Sequence, residues 1–326
     1  MKCTAIAPSN IAFIKYWGRK NETLRLPSNG SISMNLSGLI TTTTVEFSKA
    51  YSEDQVTIDE IVQSKEKALK ISKHLDRVRE LAKTDLKAKI VSQNTFPQGT
   101  GLSSSASGFA ALTVAASNAT GLKLSEKELS ILARQGSGSA CRSIPDGFVE
   151  WLDGDTSETS YAKSIYPPDY WDIVDVVCIL TDQIKDVSTS EGQLSANTSP
   201  FFTFRQQQMK KKIVKLKKAL EEKDFRTFGE TTETEALELH AIMLTSHPSL
   251  IYWHPETVTL MKLVKQWRNK GLPVYFSLNT GQNIHLICQK ENAQKISNEV
   301  AKHLGNKKII LNSPSPGAHL INTDLF

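Results

Sequence analysis

Two mixed α+β lobes, meeting near residues 165–185, are what the sequence predicts, and three observations carry the prediction. At 326 residues the chain is long for one hydrophobic core and comfortable for two. Strand-like and helix-like segments alternate along it, with no internal repeat at solenoid periods. Near the midpoint, "DYWDIVDVVCILTD" (Asp169–Asp182) is the apolar, β-branched run that a buried strand needs to open a second lobe. The first lobe then takes residues 1–175 and the second residues 176–326.

The elements follow in order. Ile32–Ser48 is β-branched and alternating, hence strand. Val62–Lys83 places Ala68, Ile71, Leu75, Val78 and Leu81 at helical spacing, hence an amphipathic helix. Leu86–Gln93 reads as strand, Ser103–Thr120 and Ser125–Arg134 as helices, and "GFVEWLDG" as a returning strand. In the second lobe, Pro200–Glu222, Asp224–Thr245 and Pro255–Lys270 read as helices. "PVYFSLN" and "NIHLICQ" make a strand, tight turn and strand, Glu291–Leu304 is an amphipathic helix, and "KKIILNS" is the last strand.

Composition excludes several classes. Apolar residues are 39% and charged residues 22%, ordinary for a globular enzyme. No apolar run reaches the roughly 18 residues of a membrane span, so no membrane partner is expected. The first 20 residues lack the apolar core of a signal peptide. Cys3, Cys141, Cys178 and Cys288 are far apart with no CxxC pair, which points to reduced thiols in the cytoplasm rather than disulfides or zinc. The net charge of +5 is concentrated in "KKKIVKLKKALEEKDF". Ile213, Leu216 and Leu220 fall at helical spacing there, so the lysines form a solvated face. With no interleaved aromatics to stack on bases, no nucleic-acid partner is expected.

The chemistry is carried by three segments. "FPQGTGLSSSASGFAAL" (Phe96–Leu112) runs from a glycine-serine loop straight into an alanine-rich helix. The first N–H groups of a helix lack internal partners and carry partial positive charge, so a glycine-rich approach such as Gly101 lets a phosphate come close. Ser103, Ser104 and Ser105 add hydroxyls for phosphate oxygens or a metal. An ordinary serine N-cap on a flexible loop would produce the same stretch, and the stretch alone does not separate the two. "RQGSGSACRSIPDGFVEW" (Arg134–Trp151) holds a second small-residue turn, Gly136–Ser139, with Arg142 behind it, a second anion subsite. "NIAFIKYWGRK" supplies Lys15, Tyr16, Arg19 and Lys20, and Lys15 stands inside an apolar run, an awkward place for a charge unless it faces a site. The chemistry implied is a nucleotide plus an anionic co-substrate.

Together these segments resemble the diphosphomevalonate decarboxylases, within the superfamily of galactokinases, homoserine kinases, mevalonate kinases and phosphomevalonate kinases. The family's "PxxxGLxSSAS" loop appears as Pro97–Ser107, "NIAxIKYWGK" as Asn10–Arg19, "PxNxSIS" as Pro27–Ser33, and "MHA" is echoed by Leu239–Ala241. "RxGSGSACRSxxGGFxEW" appears as Arg134–Trp151, with Asp146 at the first glycine of its pair. The resemblance covers nearly the whole chain. It implies an N-terminal lobe like a ribosomal-protein domain, a ferredoxin-like C-terminal lobe, and the active site between them. It implies a homodimer that uses ATP and Mg2+ to phosphorylate the 3-hydroxyl of a mevalonate derivative, then loses phosphate and carbon dioxide. By the same resemblance Lys15 is the catalytic lysine. Tyr16, Arg19, Ser137, Gly138, Ser139 and Arg142 fall at substrate-binding places, and Ser92, Asn94, Gly101, Ser103, Ser104 and Ser105 around the nucleotide. No metal ligand is assigned.

Two positions depart from the family pattern. Asn279, in "FSLNTGQNIHL", stands where the family has the aspartate that orients or deprotonates the 3-hydroxyl, and an amide is no carboxylate base. Ser190, in "KDVSTSEGQ", stands where an arginine meets the substrate carboxylate; Lys185 and Arg205 are the nearest basic residues in the chain and neither is in register. Three readings follow: an ATP-dependent decarboxylase of 5-diphosphomevalonate, a 3-kinase of mevalonate or a phosphorylated form, and a nucleotide-binding paralogue without turnover.

Overall fold

The computed structural model describes residues 1–305 and 307–326. The chain begins with β1 (Lys2–Ile14), β2 (Arg19–Asn21), β3 (Leu26–Pro27), β4 (Ser31–Ser48), β5 (Gln55–Ile58), β6 (Ile61–Val62), α1 (Lys65–Ala82) and β7 (Lys87–Asn94). It continues through α2 (Ser104–Ala119), α3 (Glu126–Gly136), β8 (Phe148–Trp151) and β9 (Ala162–Tyr166). The second half holds β10 (Ile173–Ile179), α4 (Thr189–Leu194), α5 (Phe202–Glu221), α6 (Phe225–Thr245), α7 (Pro255–Asn269), β11 (Tyr275–Ser277), β12 (Ile284–Gln289), α8 (Lys290–Leu304), β13 (Lys308–Asn312) and β14 (His319–Ile321).

Strand β4 organises the first sheet because it is long enough to hold two partners along one edge. Thr41–Ser48 pairs with β7 and Ser31–Met34 with β8, while β1 runs along the other edge. The path is β14-β1-β4-β7-β5-β6. Helix α2 is buried on nearly every side, and its alanines let it lie close on this sheet beside Ala5, Ala7 and Val45. The second sheet, β11-β12-β10-β13, is antiparallel. Its central strand β10 is buried on both faces. Ile173, Val177 and Ile179 join Ile11, Phe13, Ile32 and Met34 of the first lobe. Val174, Val176 and Cys178 pack on Leu260 and Val264 of α7 and Ile296 and Val300 of α8. Period-two alternation therefore welds the lobes through a shared core. The two-lobed α+β class is as expected.

Four details differ from the sequence reading. Strand β13 is not the last: β14 returns to the first sheet and pairs with β1, Thr4 opposite Ile321 and Ile6 opposite His319, so the tail after Asn312 does not belong to a lobe spanning 176–326. A three-residue strand with two exposed residues leaves no periodic signal. Strand β1 shows no alternation because both faces are buried, and its register shifts between Pro8 and Asn10, where proline cannot donate to the ladder. Leu81, at the end of its helical stripe, is half exposed. Residues Thr189–Leu194 form α4, where Ser188 and Glu191 complete a capping box. No helix among the described residues is long and apolar enough to cross a membrane, and all four cysteines are free thiols.

Candidate active site

Strand β1 ends in the cleft between the lobes, and Lys15 follows it. The lysine is buried, and its backbone is clamped: its N–H donates to Glu235 Oε2 at 3.1 Å, and its carbonyl accepts from Arg205 Nη2 and Asn29 Nδ2, each at 2.9 Å. Glu235 is held by Arg205 and Lys212, both at 2.8 Å, so helices α5 and α6 fix the end of a first-lobe strand. Arg205 is spent in this clamp and does not stand in for the family's missing arginine. The Lys15 Nζ donates to Ser277 Oγ at 2.7 Å and Asn279 Oδ1 at 3.4 Å. Burial drives its pKa down to about 7; Glu235 and Asp175 oppose the fall, and Arg142 and Arg205 add to it.

Asn279 bridges the lobes. Its Nδ2 donates to Ser103 Oγ at 3.0 Å, and its carbonyl oxygen lies 3.1 Å from His240 Nε2. Burial pushes His240 down to about 3, so the ring is neutral and donates its Nε2–H to that carbonyl. The turn carrying Asn279 meets the glycine-serine loop backbone to backbone. Gly101 has φ +88°, and a Cβ there would stand 2.6 Å from Gly281 Cα. Asn283 Nδ2 seals the contact by donating to Thr100 O at 2.9 Å.

The mouth of α2 is not an ordinary serine cap. Ser103 occupies the N-cap position in a left-handed conformation, φ 59°, and makes no side-chain cap bond. Its hydroxyl faces Asn279 instead, and while the Ala106 N–H donates to the Ser103 carbonyl at 2.8 Å, the N–H groups of Ser104 and Ser105 are left for a ligand. Ser137 Oγ donates to Ser105 Oγ at 3.2 Å and ties the second loop to the first. Gly138 is needed for close approach, since a Cβ would lie 2.8 Å from the Tyr16 ring. Tyr16 in turn accepts from Arg19 Nε at 2.8 Å. Arg142 is buried, and its guanidinium donates only to neutral acceptors: Ser31 Oγ at 2.8 Å, Ser33 Oγ at 3.1 Å and Asn10 Oδ1 at 3.1 Å. Among the described residues no carboxylate pairs with its charge.

Lys15, Tyr16, Arg19, Gly101, Ser103, Ser104, Ser105, Ser137, Gly138, Ser139, Arg142, Ser190 and Asn279 all line one cavity of about 210 Å³. Ser92 and Asn94 lie instead in an adjoining pocket of about 230 Å³, which shares Ser104 and Ser105 with the first and adds Ile71, Phe109 and Leu112. The sequence reading missed Arg25, Lys70 and Thr280, which also line the cavity, and placed Lys185 out of register. Lys185 lines it too, held by Thr189 Oγ1 at 2.7 Å and Thr280 O at 2.5 Å, and burial lowers its pKa to about 8. Only the folding of 189–194 into α4 reveals this placement. Six cations, Lys15, Arg19, Arg25, Lys70, Arg142 and Lys185, thus surround a space that no aspartate or glutamate lines.

Among the described residues, no group of three or more His, Cys, Asp or Glu could cage a metal. Magnesium nevertheless fits if it arrives on nucleotide phosphates, because it retains waters and needs few protein oxygens, which the hydroxyls of Ser104 and Ser105 can supply. A cavity of this charge, beside a bare helix N-terminus and at the junction of two such lobes, defines a phosphoryl-transfer enzyme acting on an anionic substrate.

The comparisons with known proteins are specific. Residues 7–162 match the diphosphomevalonate decarboxylase-like N-terminal domain, and residues 175–316 the mevalonate 5-diphosphate decarboxylase C-terminal domain. The diphosphomevalonate decarboxylase of Candida albicans is 33% identical over 317 residues, covering 92% of this chain and 88% of that protein. A phosphomevalonate decarboxylase of Haloferax volcanii is 32% identical over 302 residues, 92% of each. A structure solved as "MDDEF in complex with MVAPP, AMPPCP and Magnesium" superposes with a TM-score of 0.94 and 38% identity over 99% of both chains. The chain belongs to the diphosphomevalonate decarboxylase family.

Proposed function

We propose that this chain catalyses the ATP-dependent decarboxylation of 5-diphosphomevalonate to isopentenyl diphosphate, a step of isoprenoid synthesis in the mevalonate pathway. The observation that carries it is the acid-free cavity with six cations, into which the α2 N-terminus opens. The relative solved with MVAPP, AMPPCP and magnesium supports the same pairing of ligands.

The nucleotide base takes the pocket of Ser92, Asn94 and Phe109, and its phosphates run to the N–H groups and hydroxyls of Ser103–Ser105. Magnesium, when bound, neutralises charge on the phosphates. Tyr16, Arg19, Ser137, Gly138, Ser139 and Arg142 hold the anionic co-substrate so that its 3-hydroxyl faces the γ-phosphorus near Lys15 and Asn279. That hydroxyl oxygen bonds to the γ-phosphorus as the γ-phosphorus–oxygen bond to ADP breaks, and its proton passes to an oxygen of the transferred phosphoryl group. The C1–C2 electrons then form the C2=C3 double bond as the C3–O bond breaks, releasing carbon dioxide and phosphate. The cations of the cavity, of which Arg142, Lys15 and Lys185 form no salt bridge among the described residues, stabilise the departing phosphate, the kind of preorganised electrostatics that is usually the largest part of catalysis.

A second reading, phosphorylation of the 3-hydroxyl without loss of carbon dioxide, draws on Asn279 and Ser190. Substrate phosphorylation state is tested by offering mevalonate, 5-phosphomevalonate and 5-diphosphomevalonate with ATP and Mg2+ and following ADP. The proposal expects 5-diphosphomevalonate to give the highest kcat/KM; ADP with none of the three overturns it. A cytoplasmic homodimer is proposed on family resemblance and on the free thiols.

A further inference from the structure

The interlobe face of the second sheet holds two titratable groups that the mechanism above does not use. His285 Nδ1 lies 2.7 Å from Asp175 Oδ2, and both side chains are essentially without solvent. They sit on the face otherwise occupied by Ile173, Val177 and Ile287. A carboxylate buried in an apolar core is costly, and its one hydrogen bond to the imidazole offsets only part of that cost. Each also keeps one buried polar atom without a partner, Asp175 Oδ1 and His285 Nε2.

Register says where the pair points. His285 on β12 is directly opposite Ser277 on β11. Opposed residues on one sheet face have Cβ atoms about 4.5–5.5 Å apart. Ser277 is the residue whose Oγ accepts from Lys15 Nζ at 2.7 Å, while its own proton goes to Ala12 O at 3.3 Å. Asp175 and His285 therefore lie on the same face of the second sheet as Ser277, the residue that accepts from the Lys15 ammonium at the catalytic cavity.

We propose that Asp175 and His285 are positioning residues for Lys15, a buried carboxylate–imidazole pair whose charge acts across the sheet, beside Ser277, to hold the ammonium in the cavity. The role rests on Lys15 serving the phosphoryl transfer proposed above. It matters in this chain because Asn279 brings no charge to Lys15 Nζ. The charged and titratable groups facing Lys15 come from every element around it. Glu235 and His240 face it from α6, Arg205 from α5, Arg142 from the turn after α3, and Asp175 from β10. Glu235 is shared with Arg205 and Lys212, whereas among the described residues Asp175 is paired with His285 alone.

The test reads Lys15 itself. Full-length protein labelled with 13Cε-lysine is titrated by NMR, with the Lys15 resonance assigned by its loss in Lys15→Arg. Asp175→Asn, nearly isosteric, is expected to move the Lys15 midpoint to lower pH by about half a unit or more. The kcat–pH limb should move with it while KM for ATP stays the same. Exposed Asp172→Asn should move neither. Should Asp175→Asn not fold, Asp175→Ser removes the same carboxylate, and the same downward shift is expected. A Lys15 midpoint unchanged in whichever variant folds would overturn the inference. Because the NMR titration needs no turnover, it stands apart from the choice of substrate; a shifted midpoint in a protein inactive on 5-diphosphomevalonate would fault the proposed function alone.

Discussion

Asn279 receives a weak hydrogen bond from Lys15 and gives one to Ser103, so a carboxylate at this position could accept from both neighbours. Asn279→Asp is therefore expected to fold normally and to raise phosphoryl transfer, by up to roughly 10²-fold, the low end of general-base help. Its charge would also raise the Lys15 pKa, so the kcat–pH limb near 7 should move upward. A fall in turnover would mean that the neutral amide serves this substrate as a donor. Lys15 gives a second prediction, on stability. Its pKa falls to about 7 in the folded chain from 10.5, so between those values the unfolded chain binds more protons and stability rises with pH. Lys15→Met is then expected to melt above the wild type at pH 6, with the gap closing toward pH 10; a gap independent of pH would show that Lys15 is not desolvated. Arg142→Ala should raise KM for the anionic substrate more than for ATP. It should also lower Tm, because Ser31, Ser33 and Asn10 lose their donor.

At the scale of elements, the site is two loops locked against each other. Gly101→Ala would drive a Cβ into Gly281 and strain a left-handed backbone, which should spread the loops and weaken ATP binding at least about tenfold. Replacing Ser104 and Ser105 together by Ala should also weaken ATP binding with Tm nearly unchanged, and unaltered affinity by calorimetry would remove the loop from the nucleotide site. Most of this was legible in the sequence. Small residues at Gly99–Ser105 and Ser137–Ser139 announce close approach, and Lys15 in an apolar run announces a buried cation. What was not legible depended on tertiary contact. Arg25, Lys70 and Lys185 sit in ordinary polar contexts, and only folding turns them inward. The Asp175–His285 pair is hidden for the same reason, since each residue alone interrupts an apolar strand without indicating the other.

The whole molecule is one catalytic unit because neither lobe closes the cavity alone. The first brings the anion loops; the second brings Asn279, Lys185 and the Arg205–Glu235 clamp on Lys15. The returning tail adds a further tie through β14 on β1, with Lys2 Nζ donating to Phe326 O at 2.7 Å. Removing residues 313–326 should lower Tm clearly and expose the β1 edge to aggregation. The measurement that bears most directly on the proposed reaction is the ratio of carbon dioxide to ADP from 5-diphosphomevalonate labelled at its carboxyl carbon, with ATP and Mg2+. One carbon dioxide per ADP is the expected result. ADP formed without carbon dioxide would contradict decarboxylation and leave a 3-kinase in its place.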